Sequence, residues 1–280
     1  MDRAPPSRPA SLSCMHPLDR RVDEFLARET TGAGTVSVWL GGLDGTPVLK
    51  RDADARHYAA STMKLPLLVA AYRMHARGDL DLETAVPVHN DLRSAHDGSP
   101  FSLAQEDDQD DETWAAVGTT LTLRELARRA AVRSGNLATD LLLEQVGTAE
   151  VARVLEDAGC SPATVLPRGI GDTAARAAGL DNLVTAADLA AVMAAVPAEV
   201  KEVLAGQEHR NQIPAGLPEG SRVANKTGWV EGISHDVALV RPADRPPYVL
   251  VVCTTVDVPE DTAAALVADV SRLAWEGWQR

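Results

Sequence analysis

Strand-forming residues are confined to the two ends of this chain, and helix-forming residues fill the stretch between. Near the start, Val36, Val38 and Leu40 alternate with other residues, Asp44-Gly45 suits a hairpin turn, and a second strand follows near Val48. Strand signals return only after about residue 211, in Arg222 to Trp229, Asp236 to Arg241 and Tyr248 to Thr254. The Pro-rich turn Pro242 to Pro247 joins the last two as a hairpin. Two N-terminal and three C-terminal strands predict one antiparallel five-stranded sheet. Leu18, Val22, Phe25 and Leu26 recur at helical spacing before it, and Leu266, Val267, Val270 and Leu273 share one face of a last helix, Asp261 to Trp278.

The middle of the chain reads as helices: Met63 to Arg77 with Gly78 as its stop, Thr122 to Val132, Leu137 to Val146, Val151 to Ala158 and Ala186 to Val196. The fold class is therefore α+β, in three layers, with the first and last helices covering the sheet and an all-helical subdomain inserted. Residues 18–58 and 212–280 together form the sheet subdomain, 59–211 form the helical one, and 1–17 are a disordered tail. A site built from both parts would lie in the cleft between them, where ligands often bind.

Composition narrows the function. Twenty-seven Lys and Arg against 40 Asp and Glu give a net charge of −13, so nucleic acid and anionic membrane are repelled on average, although one local basic patch survives that argument. Cys14, Cys160 and Cys253 are odd in number and have neither metal nor disulfide spacing. No metal, nucleotide or flavin motif appears, so no cofactor is expected. The first residues, MDRAPPSRPASLSC, lack the apolar run of a signal peptide, and no segment approaches the ~20 apolar residues of a membrane span. The expectation is a cytoplasmic monomer acting on a small molecule. Gln105 to Glu112, QEDDQDDE, reads as a solvated surface loop; it lacks the Gly and closing Glu of a calcium loop.

Chemistry concentrates at two of the four lysines. In Ser61-Thr62-Met63-Lys64 the hydroxyl and the amine are three residues apart and share a helix face. A serine hydroxyl needs a base to become a nucleophile, and a buried lysine of lowered pKa can be that base. Chance alone supplies about 0.3 such pairs in this composition, so the motif is weak by itself. Lys226-Thr227-Gly228 sits in the strand RVANKTGWV, where a cation beside a small residue can hold an anionic substrate against the strand; chance supplies about 0.01–0.02 copies. Ser134-Gly135-Asn136 precedes a helix, as a cap or as a proton-relaying hydroxyl beside a carbonyl-holding amide. His57 and His235 lie next to the motifs and read as structural neighbours.

In the order S-x-x-K, S-x-N, K-T-G, the three motifs resemble those of the class A β-lactamases and penicillin-recognising enzymes. HYAASTMKLPLLVAAY, SGNLATDLLLEQVG and IPAGLPEGSRVANKTGWVEGISHDVALV extend the resemblance, which covers the chain from about Leu18. It implies that Ser61 attacks a carbonyl to form an acyl-enzyme and Lys64 helps to deprotonate it. Ser134 passes a proton to the leaving nitrogen, and Asn136 holds a substrate amide. Lys226 and Thr227 bind a substrate carboxylate, and the N–H groups of Ser61 and Trp229, past Gly228, form an oxyanion hole.

The chain departs from that pattern in one decisive place. Class A β-lactamases carry E-x-x-L-N in a loop whose Glu activates the deacylating water; the corresponding Leu166 to Leu183 contains no Glu. Arg168 and Asp181 could close the loop as an ion pair. Asp172 is the acidic candidate for the missing base, or else the cap of a turn with Thr173. Gly135 replaces the usual Asp, which removes hydrogen bonds bracing its turn, and Trp229 is large enough to narrow the cleft. These departures predict acylation with slow release, and keep open a D-alanyl-D-alanine peptidase, a small-ester hydrolase or a weakly catalytic β-lactam or peptide sensor.

Overall fold

The computed structural model describes residues 16–29 and 34–278. Most of the expected tail lies outside those residues; its last position, Pro17, already begins a helix, α1 (Pro17–Glu29). Strands β1 (Gly34–Gly42) and β2 (Pro47–Arg51) follow. The middle holds α2 (Lys64–Arg77), α3 (Asp111–Ala115), α4 (Leu123–Val132), α5 (Asn136–Val146), α6 (Thr148–Asp157), α7 (Thr173–Ala177), α8 (Ala186–Ala194) and α9 (Ala198–Ala205). The chain then forms β3 (Arg222–Val230), β4 (Ile233–Arg241), β5 (Tyr248–Val256) and α10 (Glu260–Gly277).

The five strands make one antiparallel sheet in the order β2-β1-β5-β4-β3, so strands from the two chain ends meet at the β1–β5 ladder, Ser37 opposite Cys253. β3 is an edge strand. It forms a tight hairpin with β4, Val230 pairing with Ile233.

Two cores sit back to back on the sheet, as the period-2 alternation of its strands requires. On one face Val36, Val38, Leu250 and Val252 pack with Leu18, Val22 and Phe25 of α1 and Leu266, Val267 and Val270 of α10. On the other, Val237, Leu239, Val249 and Val251 pack against the middle helices, including Leu67, Leu68, Leu126, Leu141 and Leu189. Each such side chain contributes roughly 1.5–3 kcal/mol on burial.

Local signals place the helices. Thr122 accepts from the Glu125 N–H to cap α4, a Thr-x-x-Glu start, and Thr185 caps α8 through Asp188 N–H. Pro66 falls in the first turn of α2, where its missing N–H costs nothing, and Gly78 closes that helix in the left-handed conformation.

Candidate active site

Ser61 lies in a 3₁₀ turn, Ala60–Met63, that leads into α2. Residues three apart eclipse one another in such a turn, which brings Ser61 and Lys64 to one side. The turn is held from behind: His57–Tyr58 pair with Leu183–Val184, and the Ala59 N–H donates to the Asn182 carbonyl at 2.9 Å. Ala60 has a left-handed backbone, φ 44°, and so does Ser134, φ 62°. Such conformations cost a non-glycine residue of order 1–3 kcal/mol and cluster at functional sites.

Lys64 is wholly buried at the base of the site. Its Nζ donates to the Ser134 carbonyl at 2.5 Å and to Asn136 Oδ1 at 2.9 Å, and lies 3.2 Å from Ser134 Oγ. Burial pushes its pKa down to about 7, against the pull of the Asp108 and Asp140 charges. Lys226 reaches the same hydroxyl from β3: its Nζ is 3.0 Å from Ser134 Oγ and 2.9 Å from the Thr227 carbonyl. Burial, then the Lys64 charge, holds its pKa well below that of a free lysine, with Asp236 opposing. The three motifs thus converge on one oxygen. The Ser61 hydroxyl itself has no hydrogen-bond partner among the described residues, and catalytic hydrogen bonds often tighten only when substrate binds.

Gly228 sets how closely β3 approaches Ser61. A Cβ at this position would stand 2.9 Å from the Ser61 nitrogen and 2.8 Å from the Thr62 nitrogen, so no side chain fits. The next residue, Trp229, packs against His209 with ring centroids 4.7 Å apart and the rings tilted by 60°. Tyr58, Ser61, Asp107, Gln109, Ser134, Asn136, Ile170 and Trp229 are among the residues lining a cavity of about 110 Å³. That is well below the ~300–1,000 Å³ of sites for drug-sized ligands, and Trp229 is one of the residues that bound it. Thr227 does not line the cavity. It pairs with Asp236 across the hairpin, and strand alternation turns it away from the Lys226 face; its buried hydroxyl has no partner.

The acidic run is not simply a solvated loop, which corrects the sequence expectation. Asp108 accepts from the N–H groups of Asn136 and Leu137, both at 2.8 Å, and from Trp114 Nε1 at 2.9 Å, so it caps α5. The carbonyl of Asp107 accepts from Asn136 Nδ2 at 3.0 Å. Asp110 is 1% exposed and accepts from Arg133 and Thr113. Its Cβ lies 3.0 Å from where a Gly135 side chain would begin. Bracing of the Ser134 turn is therefore present despite Gly135, supplied from a neighbouring loop.

The stretch Leu166 to Leu183 closes through Arg168 Nη2 and Asp181 Oδ1 at 2.8 Å, the pair expected from sequence. Asp172 caps α7 through the Ala175 N–H at 3.0 Å and also accepts from Ser94 Oγ and the Ala95 N–H, both at 2.8 Å. That geometry matches the turn-capping alternative, and Asp172 is not among the cavity residues. The residue that this stretch contributes to the cavity is Ile170.

Sequence reasoning missed Asp140. It lies one turn after Asn136 on α5, 3% exposed, and its Oδ1 accepts from the Ile170 N–H at 2.8 Å. Its Oδ2 is buried without a partner, and burial raises its pKa against the Ile170 N–H and the Lys64 charge. Its i to i+4 spacing from Asn136 puts the two on one helix face, but that spacing alone does not announce the Ile170 amide.

The two histidines are structural. His57 hydrogen-bonds Ser37 Oγ and Thr255 Oγ1 at 2.8 and 2.7 Å, and His235 Nε2 bonds the Tyr58 carbonyl at 2.9 Å. Their rings meet edge-on at 5.3 Å, beside the strand that leads into the Ser61 turn. Among the described residues, no cluster of His, Cys, Asp or Glu is arranged to hold a metal, and no helix is long and apolar enough to cross a membrane.

A five-stranded antiparallel sheet, a helical insertion and a serine–lysine motif beside a strand-borne lysine make up an architecture of the class A β-lactamase type. The chain belongs to the β-lactamase enzyme family, whose model matches residues 17–278. It is 33% identical over 158 residues to a β-lactamase of Bacillus licheniformis, 50% of each chain, and 31% identical over 188 residues to one of Citrobacter koseri, 58% of this chain and 60% of that one. The matched part thus spans about half the length of these curated relatives. Among solved structures, the class A β-lactamase of the last common ancestor of Gram-negative bacteria superimposes with a TM-score of 0.78 at 26% identity, covering 94% of this chain and 99% of that one. PBP-A superimposes with a TM-score of 0.75 at 21% identity over 97% of both chains, a likeness of fold.

Proposed function

We propose that the protein is acylated at Ser61 by β-lactams or related strained amides and esters, and that it releases the acyl group slowly. Neutral Lys64 takes the Ser61 proton as Oγ attacks the carbonyl carbon. The oxyanion is held by the N–H groups of Ser61 and Trp229. Ser134 then delivers a proton to the leaving nitrogen as the C–N bond breaks, and Lys226 attracts the substrate's negative charge. The observation that carries this reading is the Ser134 hydroxyl, within 3.2 Å of Lys64 and 3.0 Å of Lys226 on the wall of the Ser61 cavity.

Slow release follows from Ile170. The loop that would supply a deacylating carboxylate presents an aliphatic side chain to the cavity instead, and general-base help is worth ~10²–10⁴ in rate. The small cavity favours compact substrates, so a D-alanyl-D-alanine peptidase or small-ester hydrolase is the second reading.

Intact-mass spectrometry after mixing with a penicillin tests the proposal. The expected result is a stable adduct that maps to Ser61 and is lost in Ser61→Ala. No adduct, or rapid multiple turnover, would overturn it. Parallel assays with a chromogenic cephalosporin and a p-nitrophenyl ester separate lactam from ester chemistry.

A further inference from the structure

The chain carries −13 overall, yet one cavity concentrates positive charge. A depression of about 480 Å³ between α9 and the far end of the β3–β4 hairpin is lined by Lys201, Arg210, Arg222 and Arg241. The four cations come from four separate places: a helix, the segment after it, and two strands. One carboxylate, Glu202, also lines the cavity. None of the four cations makes an ion pair or hydrogen bond among the described residues, although arginines elsewhere pair widely with the abundant acids.

Register sets two like charges side by side. Arg222 and Arg241 are direct partners across the antiparallel ladder, so two guanidinium groups leave the same face of the sheet side by side. Like charges directly opposite in a ladder are destabilising. That face is the one α9 packs on, since Ala224 and Leu239, the next residues on it, belong to the helical core.

We propose that this cavity is a binding site for a small, multiply charged oxyanion of the pyrophosphate or citrate kind. Guanidinium forks match the paired oxygens of phosphate and carboxylate, and two or more negative charges offset the mutual repulsion of the arginines. The overall negative charge selects a compact ligand over an extended polyanion such as nucleic acid, which the rest of the surface repels. Lys201 fits this role: burial lowers its pKa first and the Arg241 charge second, and an anion between them would reverse the second effect. The site is separate from the serine centre, because Arg222 precedes Lys226 by four residues of extended strand, roughly 13 Å.

Isothermal titration of the whole protein with pyrophosphate, and separately with citrate, tests the site against sodium chloride of matched ionic strength. The expected result is saturable binding of one or both anions, weakened about tenfold or more in Arg222→Gln/Arg241→Gln. Pyrophosphate alone assigns a phosphate ligand, and citrate alone a polycarboxylate. Penicillin labelling of Ser61 in the variant reports an intact fold, and Arg241→Gln alone serves if the double variant does not fold. No binding of either anion beyond matched salt, or binding that both variants retain, overturns the proposal.

Discussion

Gly228 leaves no room beside Ser61: a single methyl on the glycine would stand 2.9 Å from the serine nitrogen. The Ser61 amide and the strand that faces it therefore share one fixed spacing. Gly228→Ala must push the strand edge or the 3₁₀ turn outward. Overpacking of this kind costs about 1–3 kcal/mol, and acylation of Ser61 should fall by about 10²-fold or more, read from the rate of adduct formation.

Ile170→Glu should place a carboxylate in the Ser61 cavity. Hydrolysis of a penicillin should then rise by about 10²–10⁴, with the acyl adduct no longer accumulating, as pre-steady-state mass spectrometry would reveal. An unchanged adduct lifetime would mean that the side chain does not reach the acyl carbon.

Acylation should depend on pH through Lys64. The amine takes a proton only when neutral, so the rate should rise as pH increases through about 7, far below the range of a free lysine. Asp108 holds the Lys64 value up through its charge more than any other group, so Asp108→Asn should shift the midpoint to lower pH. Stopped-flow labelling from pH 5 to 9 gives the profile for both forms.

Asp108→Ala should remove the cap of α5. The loss is about 1–2 kcal/mol in urea unfolding, and acylation should slow because Asn136 and Ser134 sit on that helix start. Asp111→Ala, exposed in the same run, should change neither.

His57 and His235 are held neutral by burial, with pKa values lowered to about 3 and about 4. The unfolded chain binds protons to them below about 6.5, where the folded chain does not. Their contribution to stability is therefore complete above pH 6.5 and diminishes as pH falls toward the folded values. Imidazole resonances in NMR should show no titration of either ring between pH 8 and 5.

The sheet, its two covering helices and the Ser61, Lys64, Ser134 and Lys226 set were legible because each rests on a local pattern: alternation, helical spacing or a short motif. Asp140 was not, since one acid on an apolar helix gains meaning only when a loop 30 residues later lays the Ile170 amide against it. The acidic run misled for the opposite reason. Charge density alone suggests solvent, and nothing local announces that Asp108 meets a helix end 28 residues away. Trp229 was read as a wall, but its partner His209 comes from a distant connector.

The shared hydroxyl of Ser134 has one proton and two amine neighbours. An oxygen so placed can receive from one nitrogen while giving to the other, and it reverses that choice when either amine changes its charge. In the proposed acylation the residue would act as a two-way valve: the direction of proton flow through it, toward the departing group or back to the base, would follow from which lysine is ionised at that instant.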